Sequence, residues 1–344
     1  MGRLTKKRTG AFYLTNLLLT VVLFVVLYLL IDGKVLTGRY TTLITLVCVN
    51  VILAVSLNLV TGILGQLVLG HAGFMLVGAY ASALFTKNVG MALPISFPIS
   101  LVLAGLLAAL FGVIIGIPAL RLRGDYLAII TLGFGEIIRV LANADFLKPI
   151  TNGAMGLGDI PTLYNRRTSP AGLFVYAFII MVLVIVINFS FGRSRHGRAV
   201  IAIREDEIAA ESAGVNTTYY KLFAFVLAAF IAGVAGGLYA NQIQVIDPAK
   251  FDFNRSVEIL IMVVLGGMGS ITGSIISATV LTVLPEMLRG FDEYRMLLYS
   301  IILIAVMLFK PSGLLGRYEI SVPGLFMKLW NKLKHPKQKT TGEA

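Results

Sequence analysis

Runs of nearly pure hydrocarbon, each about 20 residues long, limit what this chain can fold into. GLFVYAFIIMVLVIVINFSF fills 172–191 and LFAFVLAAFIAGVAGGLYA fills 222–240. A helix rising 1.5 Å per residue needs about 20 residues to cross the ~30 Å core of a bilayer. Further runs of helical length lie near 12–31, 41–61, 68–86, 95–118, 125–144, 257–268, 270–288 and 296–310. Only 13% of the residues are charged and the mean hydropathy is +0.88, where soluble domains carry about 25% charged residues. The expected fold is an all-α polytopic membrane protein with about ten transmembrane segments.

The formal net charge of +12 would suggest nucleic acid in a soluble protein. Here the basic residues sit at the chain ends and in short loops. They include Arg3, Lys6, Lys7 and Arg8; Arg121 and Arg123; Arg193, Arg195, Arg198, Arg204 and Lys221; and Lys310 to Lys339. With an even number of spans between them these groups share one side, so the positive-inside rule predicts that both termini are cytoplasmic, with no nucleic-acid partner. The expected organisation is a basic cytoplasmic N-terminus over 1–11, a transmembrane domain over 12–310 and a basic cytoplasmic tail over 311–344. The tail segment SVPGLFMKLWNKLKHPK predicts a short helix on the lipid surface. The single cysteine, Cys48, lies in an apolar run and reads as a small core residue.

Two segments break the hydrophobic pattern. TGILGQLVLGHAGFMLVGAYASALF (61–85) carries Gly62, Gly65, Gly70, Gly73 and Gly78, with Gln66 and His71 among them. LGGMGSITGSIISA (265–278) carries Gly266, Gly267, Gly269 and Gly273. Glycine at this density permits close backbone approach or an interrupted helix, and free backbone inside a bilayer is tolerated only against protein or a water-filled path. Tight packing and interrupted helices lining a translocation path are both open. The path reading takes Gln66, His71, Gly266, Gly267 and Gly269, with Glu136 and Arg139, a charge pair at i,i+3 within a span. The two segments hint at a repeat over 41–145 and 221–310 whose halves start on opposite sides of the membrane. Asn50, Ser56 and Asn58 read as interhelical hydrogen-bond partners.

Between the two longest runs lies a polar stretch, GRSRHGRAVIAIREDEIAAESAGVNTTYYK (192–221). AVIAIREDEIAAESA (199–213) is rich in helix formers and free of proline and glycine, so it predicts one short docking helix ended by Gly214. Ile201, Ile208 and Ala209 are expected on its covered face, and Glu205, Glu207 and Glu211 outward. Such a helix joined to two spans is a lever for a soluble partner. The chain contains no G-x-x-x-x-G-K-[ST], G-x-S-x-G or H-E-x-x-H, and its three histidines offer no metal spacing. No enzyme, metal site or cofactor of its own is expected.

REDEIAAESAGVNTTYYKLFAFVLAAFIAGVAGGLYA resembles the coupling loop and following span of the permease subunits of ABC importers for branched-chain amino acids, the LivM-like group. LGHAGFMLVGAYASA, LRLRGDYLAIITLGFGEIIRVLAN, TNGAMGLGDIP and EILIMVVLGGMGSITGSIISA resemble other segments of that family, in order, over most of 50–315. ABC importer permeases share an EAA-x-x-x-G pattern, and Ile208-Ala209-Ala210-Glu211-Ser212-Ala213-Gly214 occupies its register with isoleucine in the glutamate position. The resemblance implies coupling to an ATPase through Arg204, Glu205, Asp206, Glu207, Ala209, Ala210, Glu211 and Gly214. It also implies a second homologous permease subunit, two cytoplasmic ATPase subunits that use the ATP, an external substrate-binding protein and a place in the cell membrane. Urea or short amides are alternative substrates within the family, and an ion-coupled secondary transporter is the alternative class.

Overall fold

In the computed structural model, residues 6–122, 124–163, 171–310 and 313–316 are described. The expected tail helix lies outside them. Every apolar run of the sequence is helical. The elements in order are α1 (Lys6–Asp32), α2 (Gly38–Asn58), α3 (His71–Asn88), α4 (Leu93–Ala119), α5 (Asp125–Asn143), the short α6 (Lys148–Thr151) and α7 (Gly172–Arg193). There follow α8 (Arg195–Glu205), α9 (Glu207–Ser212), α10 (Thr217–Ile243), α11 (Phe253–Gly266), α12 (Ile271–Met287) and α13 (Arg295–Phe309). Within the described residues α1 is continuous from Lys6 to Asp32. Among the described residues no strand occurs; Leu157 and Ile246 form an isolated antiparallel bridge.

Among the described residues, five helices are long and apolar enough to cross a bilayer: Gly38–Ile63, Leu93–Ala119, Gly172–Arg193, Thr217–Ile243 and Ile271–Phe291. A sixth is obtained if α5 is joined with Lys148–Met155, which bends away by 86°. Rows of exposed apolar side chains, such as Val102, Leu106 and Leu110 on α4 and Ile179, Leu183 and Val186 on α7, suit hydrocarbon and not water.

Lipid tails are as apolar as leucine, so the helices associate by close packing and by polar groups. The central α10 shows both. A Cβ on Gly78 of α3 would lie 2.1 Å from the Gly233 carbonyl oxygen, and one on Gly236 would lie 2.0 Å from that of Met75. Bare backbone is what lets α3 and α10 approach so closely. Phe74 stacks obliquely on Phe134 of α5 at 4.9 Å and meets Phe225 of α10 edge-on at 5.6 Å. The Ser82 and Ser100 hydroxyls, 2.8 Å apart, join α3 to α4.

Contacts sort the loops into two ends. At one end, Lys87 donates to the Gly158 carbonyl, Tyr176 to that of Pro94 and Gln242 to that of Thr42. At the other lie the segments 59–70, 193–217 and 266–271. Asn50 bonds both Thr282 and Arg255, while Asn58 bonds Gly269. Thus α2 runs antiparallel to α12 and in the same sense as α11. The glycine-rich breaks after α2 and after α11 are therefore entered from the same end, while α2 and α10, where the two halves of the expected repeat begin, start at opposite ends.

Candidate functional site: two interrupted helices beneath a two-piece docking element

Past Asn58, α2 widens into a π-helical turn, Leu59–Ile63, and then stops. Leu64 N–H reaches back to the Leu59 carbonyl and Gln66 N–H to that of Val60, at 3.1 and 3.0 Å. Gly65 has φ +78°, a conformation that favours glycine. The chain resumes as α3 at His71, whose Nε2 lies 2.6 Å from the Ser56 hydroxyl. Ser256 of α11 accepts from the Ala72 N–H at 3.1 Å. Side chains thus satisfy backbone that a broken helix leaves open, as membrane interiors require.

The second break follows α11. Gly267 and Gly269 have φ +106° and +91°, and Ser270 caps α12 by accepting from the Gly273 N–H at 3.0 Å. Two carbonyls at the end of α11 accept from the returning chain: Leu314 N–H donates to Leu265 at 2.7 Å and Leu315 N–H to Gly266 at 3.3 Å.

The two breaks touch. Gly269 N–H donates to the Asn58 side-chain oxygen at 2.8 Å. A Cβ on Gly62 would lie 2.3 Å from Gly269 N and 1.9 Å from that same oxygen. Asn58 is fully buried, and its amide nitrogen has no partner among the described residues.

Over this junction lies the polar segment between α7 and α10. It forms two helices where the sequence predicts one. Asp206 is the reason: its φ of −156° interrupts the helix while its carboxylate accepts from Ile208 N–H and Ala209 N–H at 2.9 and 3.0 Å. A short carboxylate competes with the helical ladder for nearby backbone donors, and here it starts a new helix. Gly214, at φ +82°, ends α9. Val215 N–H bonds the Ala210 carbonyl and Gly214 N–H that of Glu211, the paired closure of a Schellman turn. Asn216 then caps α10 through Tyr219 N–H.

The covered face also differs from the expected one. Val200, Ile203 and Ala210 are buried, whereas Ile201, Ile208 and Ala209 are exposed, Ile208 by 69%. Glu207 turns inward: its carboxylate meets Lys221 of α10 at 2.6 Å, with the lysine side chain only 4% exposed. Arg204 also turns inward, its guanidinium donating to the Gly62 carbonyl at 2.5 Å. Glu205, Asp206, Ala209, Glu211 and Gly214 lie on the exposed side. The break at Asp206 rotates α9 relative to the continuous helix the periodicity implied, which accounts for the outward turn of Ile208 and Ala209; Ile201, ahead of the break, is outward because Val200 and Ile203 form the covered face of α8.

The model of a family described as "Branched-chain amino acid transport system / permease component" matches residues 39–308. The chain belongs to that family. This permease is an integral, multi-pass protein of the cell membrane. It is 40% identical over 297 residues to the "High-affinity branched-chain amino acid transport system permease protein LivM" of Salmonella typhimurium, a match covering 79% of this chain and 68% of that protein. It is 38% identical to the Escherichia coli protein of the same description, with the same coverage. With the LivH permease of Salmonella typhimurium it shares 29% identity over 300 residues, 80% of this chain and 94% of that one. No solved structure matches it.

Of the residues that the sequence assigned to a path, the fold brings His71, Gly266 and Gly269 to the neighbourhood of the two breaks. Gly267 packs against Gly316, where a Cβ would lie 2.4 Å from the carbonyl oxygen. Gln66 lies half-buried in the first break. Glu136 and Arg139 bind one another on α5 at 2.6 Å, each about a third exposed.

Three features of the permease were not read from sequence. One is the inward turn of Arg204. Another is the Glu207–Lys221 pair, for which a lysine directly ahead of the apolar run 222–240 was the available signal. The third is a polar cluster at the opposite end: Arg255 donates to Asn50 at 2.7 Å and to Glu258 at 2.9 Å, and its guanidinium lies 5.8 Å from the Tyr239 ring centre.

Proposed function

We propose that this chain is one permease subunit of an ATP-driven ABC importer for branched-chain amino acids. It forms half of the translocation path and couples to ATPases that it does not contain. In this reading the chain crosses the membrane about ten times, with both termini and the α8–α9 element in the cytoplasm. A second, homologous permease completes the path, two ATPase subunits bind the cytoplasmic face, and an external binding protein delivers the substrate. ATP is bound and hydrolysed by the partners; the chain itself holds no metal or cofactor. Residues 12–310 make the transmembrane domain, flanked by a basic N-terminus and a basic tail that favour the cytoplasmic side.

The observation that carries the reading is the α8–α9 element over the two broken helices. Its outer side offers Ile208, Ala209, Glu211 and Ser212, and its inner side is fixed to the bundle by Arg204 and Glu207. A partner that grips α9 therefore acts on membrane helices through side-chain contacts. The polar groups at the breaks, such as Ser56, His71, Ser256 and Ser270, are engaged within the chain, so substrate choice rests mainly with the binding protein.

The test is purification of the tagged chain from its own host, followed by uptake in proteoliposomes. Two ATPase subunits and a second permease should copurify. ATP-dependent accumulation should occur for leucine, isoleucine and valine but not for urea or acetamide. Glu211→Arg and Gly214→Asp should abolish uptake while the chain stays in the membrane. Full uptake by both variants would refute the coupling role. Accumulation against a gradient by the chain alone would refute the whole reading.

A further inference from the structure

We propose that Arg204 is the positioning residue through which the docking element sets both interrupted helices at once. This rests on the reading of α8–α9 as the ATPase-docking element. It adds a specific route for the force, distinct from the covalent links to α7 and α10.

The geometry is a knot of three segments far apart in sequence. Arg204 ends α8. Its aliphatic stem crosses the bare face of Gly65, where a Cβ would lie 2.7 Å from Arg204 Cγ. Its Nη1 donates to the Gly62 carbonyl at 2.5 Å, across 142 residues of sequence. The same nitrogen would be 3.2 Å from a Cβ on Gly269, so the guanidinium also lies against the second break. Asn58 closes the knot by accepting from Gly269 N–H. The glycines at 62, 65 and 269 leave the room that Arg204 and Asn58 occupy.

The two pieces of the docking element thus have separate polar anchors, although α8 also meets α10 through the His196 ring, 5.8 Å from that of Tyr220. Glu207 ties α9 to the long, regular α10 through Lys221. Arg204 ties α8 to the two places where the helical ladder is already interrupted. Asp206 separates the two helices. A helix with its ladder intact resists local bending, whereas a break has few bonds to lose. Displacement of α8 is therefore transmitted most readily into the breaks, and to both together because they are bonded to each other. A lysine would supply a compact charge on a shorter, more flexible stem in place of the planar guanidinium whose Nη1 reaches the Gly62 carbonyl beside Gly269.

The experiment uses the whole complex, purified through the tagged chain and reconstituted in proteoliposomes. ATP hydrolysis and leucine uptake are measured in the same vesicles. The readout is ATP hydrolysed per leucine moved, which a loss of stability alone does not change. Arg204→Ala should raise that ratio about tenfold or more, the factor carried by a lost hydrogen bond to a charged group. Arg204→Lys should raise it about threefold, because it keeps the charge but not the reach and planarity of the guanidinium. A wild-type ratio in Arg204→Ala overturns the proposal, whether both rates are normal or both fall in parallel. If the alanine variant does not assemble, the lysine variant decides, and an unchanged ratio there overturns the proposal. A wild-type complex without ATP-dependent leucine uptake would instead sink the functional reading on which this one rests.

Discussion

The pair formed by Glu207 and Lys221 makes an unequal prediction for its two members. The charged atoms are 2.6 Å apart, but the lysine side chain is 4% exposed and the glutamate 25% exposed. Glu207→Gln leaves an ammonium group buried without its counter-charge. Breaking a buried pair from that side costs about 3–5 kcal/mol. Lys221→Met removes the buried charge, fills similar volume with an apolar chain and leaves a carboxylate in reach of solvent. That should cost about 1 kcal/mol or less. The double variant should behave like Lys221→Met alone, so the interaction term of the cycle equals the cost of Glu207→Gln, about 3–5 kcal/mol. For domains of 150–250 residues 1 kcal/mol moves the melting temperature by about 2–4 °C, and less for a longer chain. In detergent, Glu207→Gln should lower the melting temperature by about 5 °C, with Lys221→Met and the double variant close to wild type. Equal losses from the two single substitutions, or additive losses in the double, would refute the claim that burial of the ammonium dominates.

Three further outcomes follow from the same structure. Gly78→Ala and Gly236→Ala each drive a methyl into a backbone oxygen at 2.1 and 2.0 Å, and each should cost about 1–3 kcal/mol or more as a lowered melting temperature. Gly133→Ala, with no atom within 4 Å of the new methyl, should instead gain about 0.5–1 kcal/mol, and a comparable loss there would contradict the packing argument. Asp206→Ala removes the cap on Ile208 N–H and Ala209 N–H. It should cost about 1 kcal/mol and speed hydrogen exchange over 207–213, and unchanged exchange would show that the cap does not hold α9. With Cys48 replaced by alanine, a cysteine at Met155, 86% exposed, should react with an impermeant maleimide in intact cells. One at Ile208 should react only after lysis; protection at 155 would reverse the orientation.

Much of the fold was legible because its signals are local. Apolar runs of helical length marked the positions of the helices, and glycine density marked both breaks, since neither depends on what lies elsewhere in the chain. The cap at Asn216 and the stop at Gly214 follow from the preferences of single residues. The docking segment shows where local signals mislead. Helix-forming composition over 199–213 pointed to one helix, yet the carboxylate of Asp206 competes for the backbone and divides it. Once the helix is divided, the periodicity that put Ile208 and Ala209 inside no longer holds.

By itself the sequence determined that the chain lives in a membrane, where its apolar helices lie and at which two glycine-rich segments a helix could fail, because hydrophobicity and backbone freedom belong to short stretches of residues. Only the tertiary structure decided that the two failures meet, that Arg204 and Glu207 face the bundle, and that α2 and α11 run in the same sense. Those outcomes depend on contacts across 14, 142, 205 and 211 residues of sequence. Inside a bilayer such contacts are set by which bare backbones fit together and which buried polar groups find each other, and neither is written in any one segment.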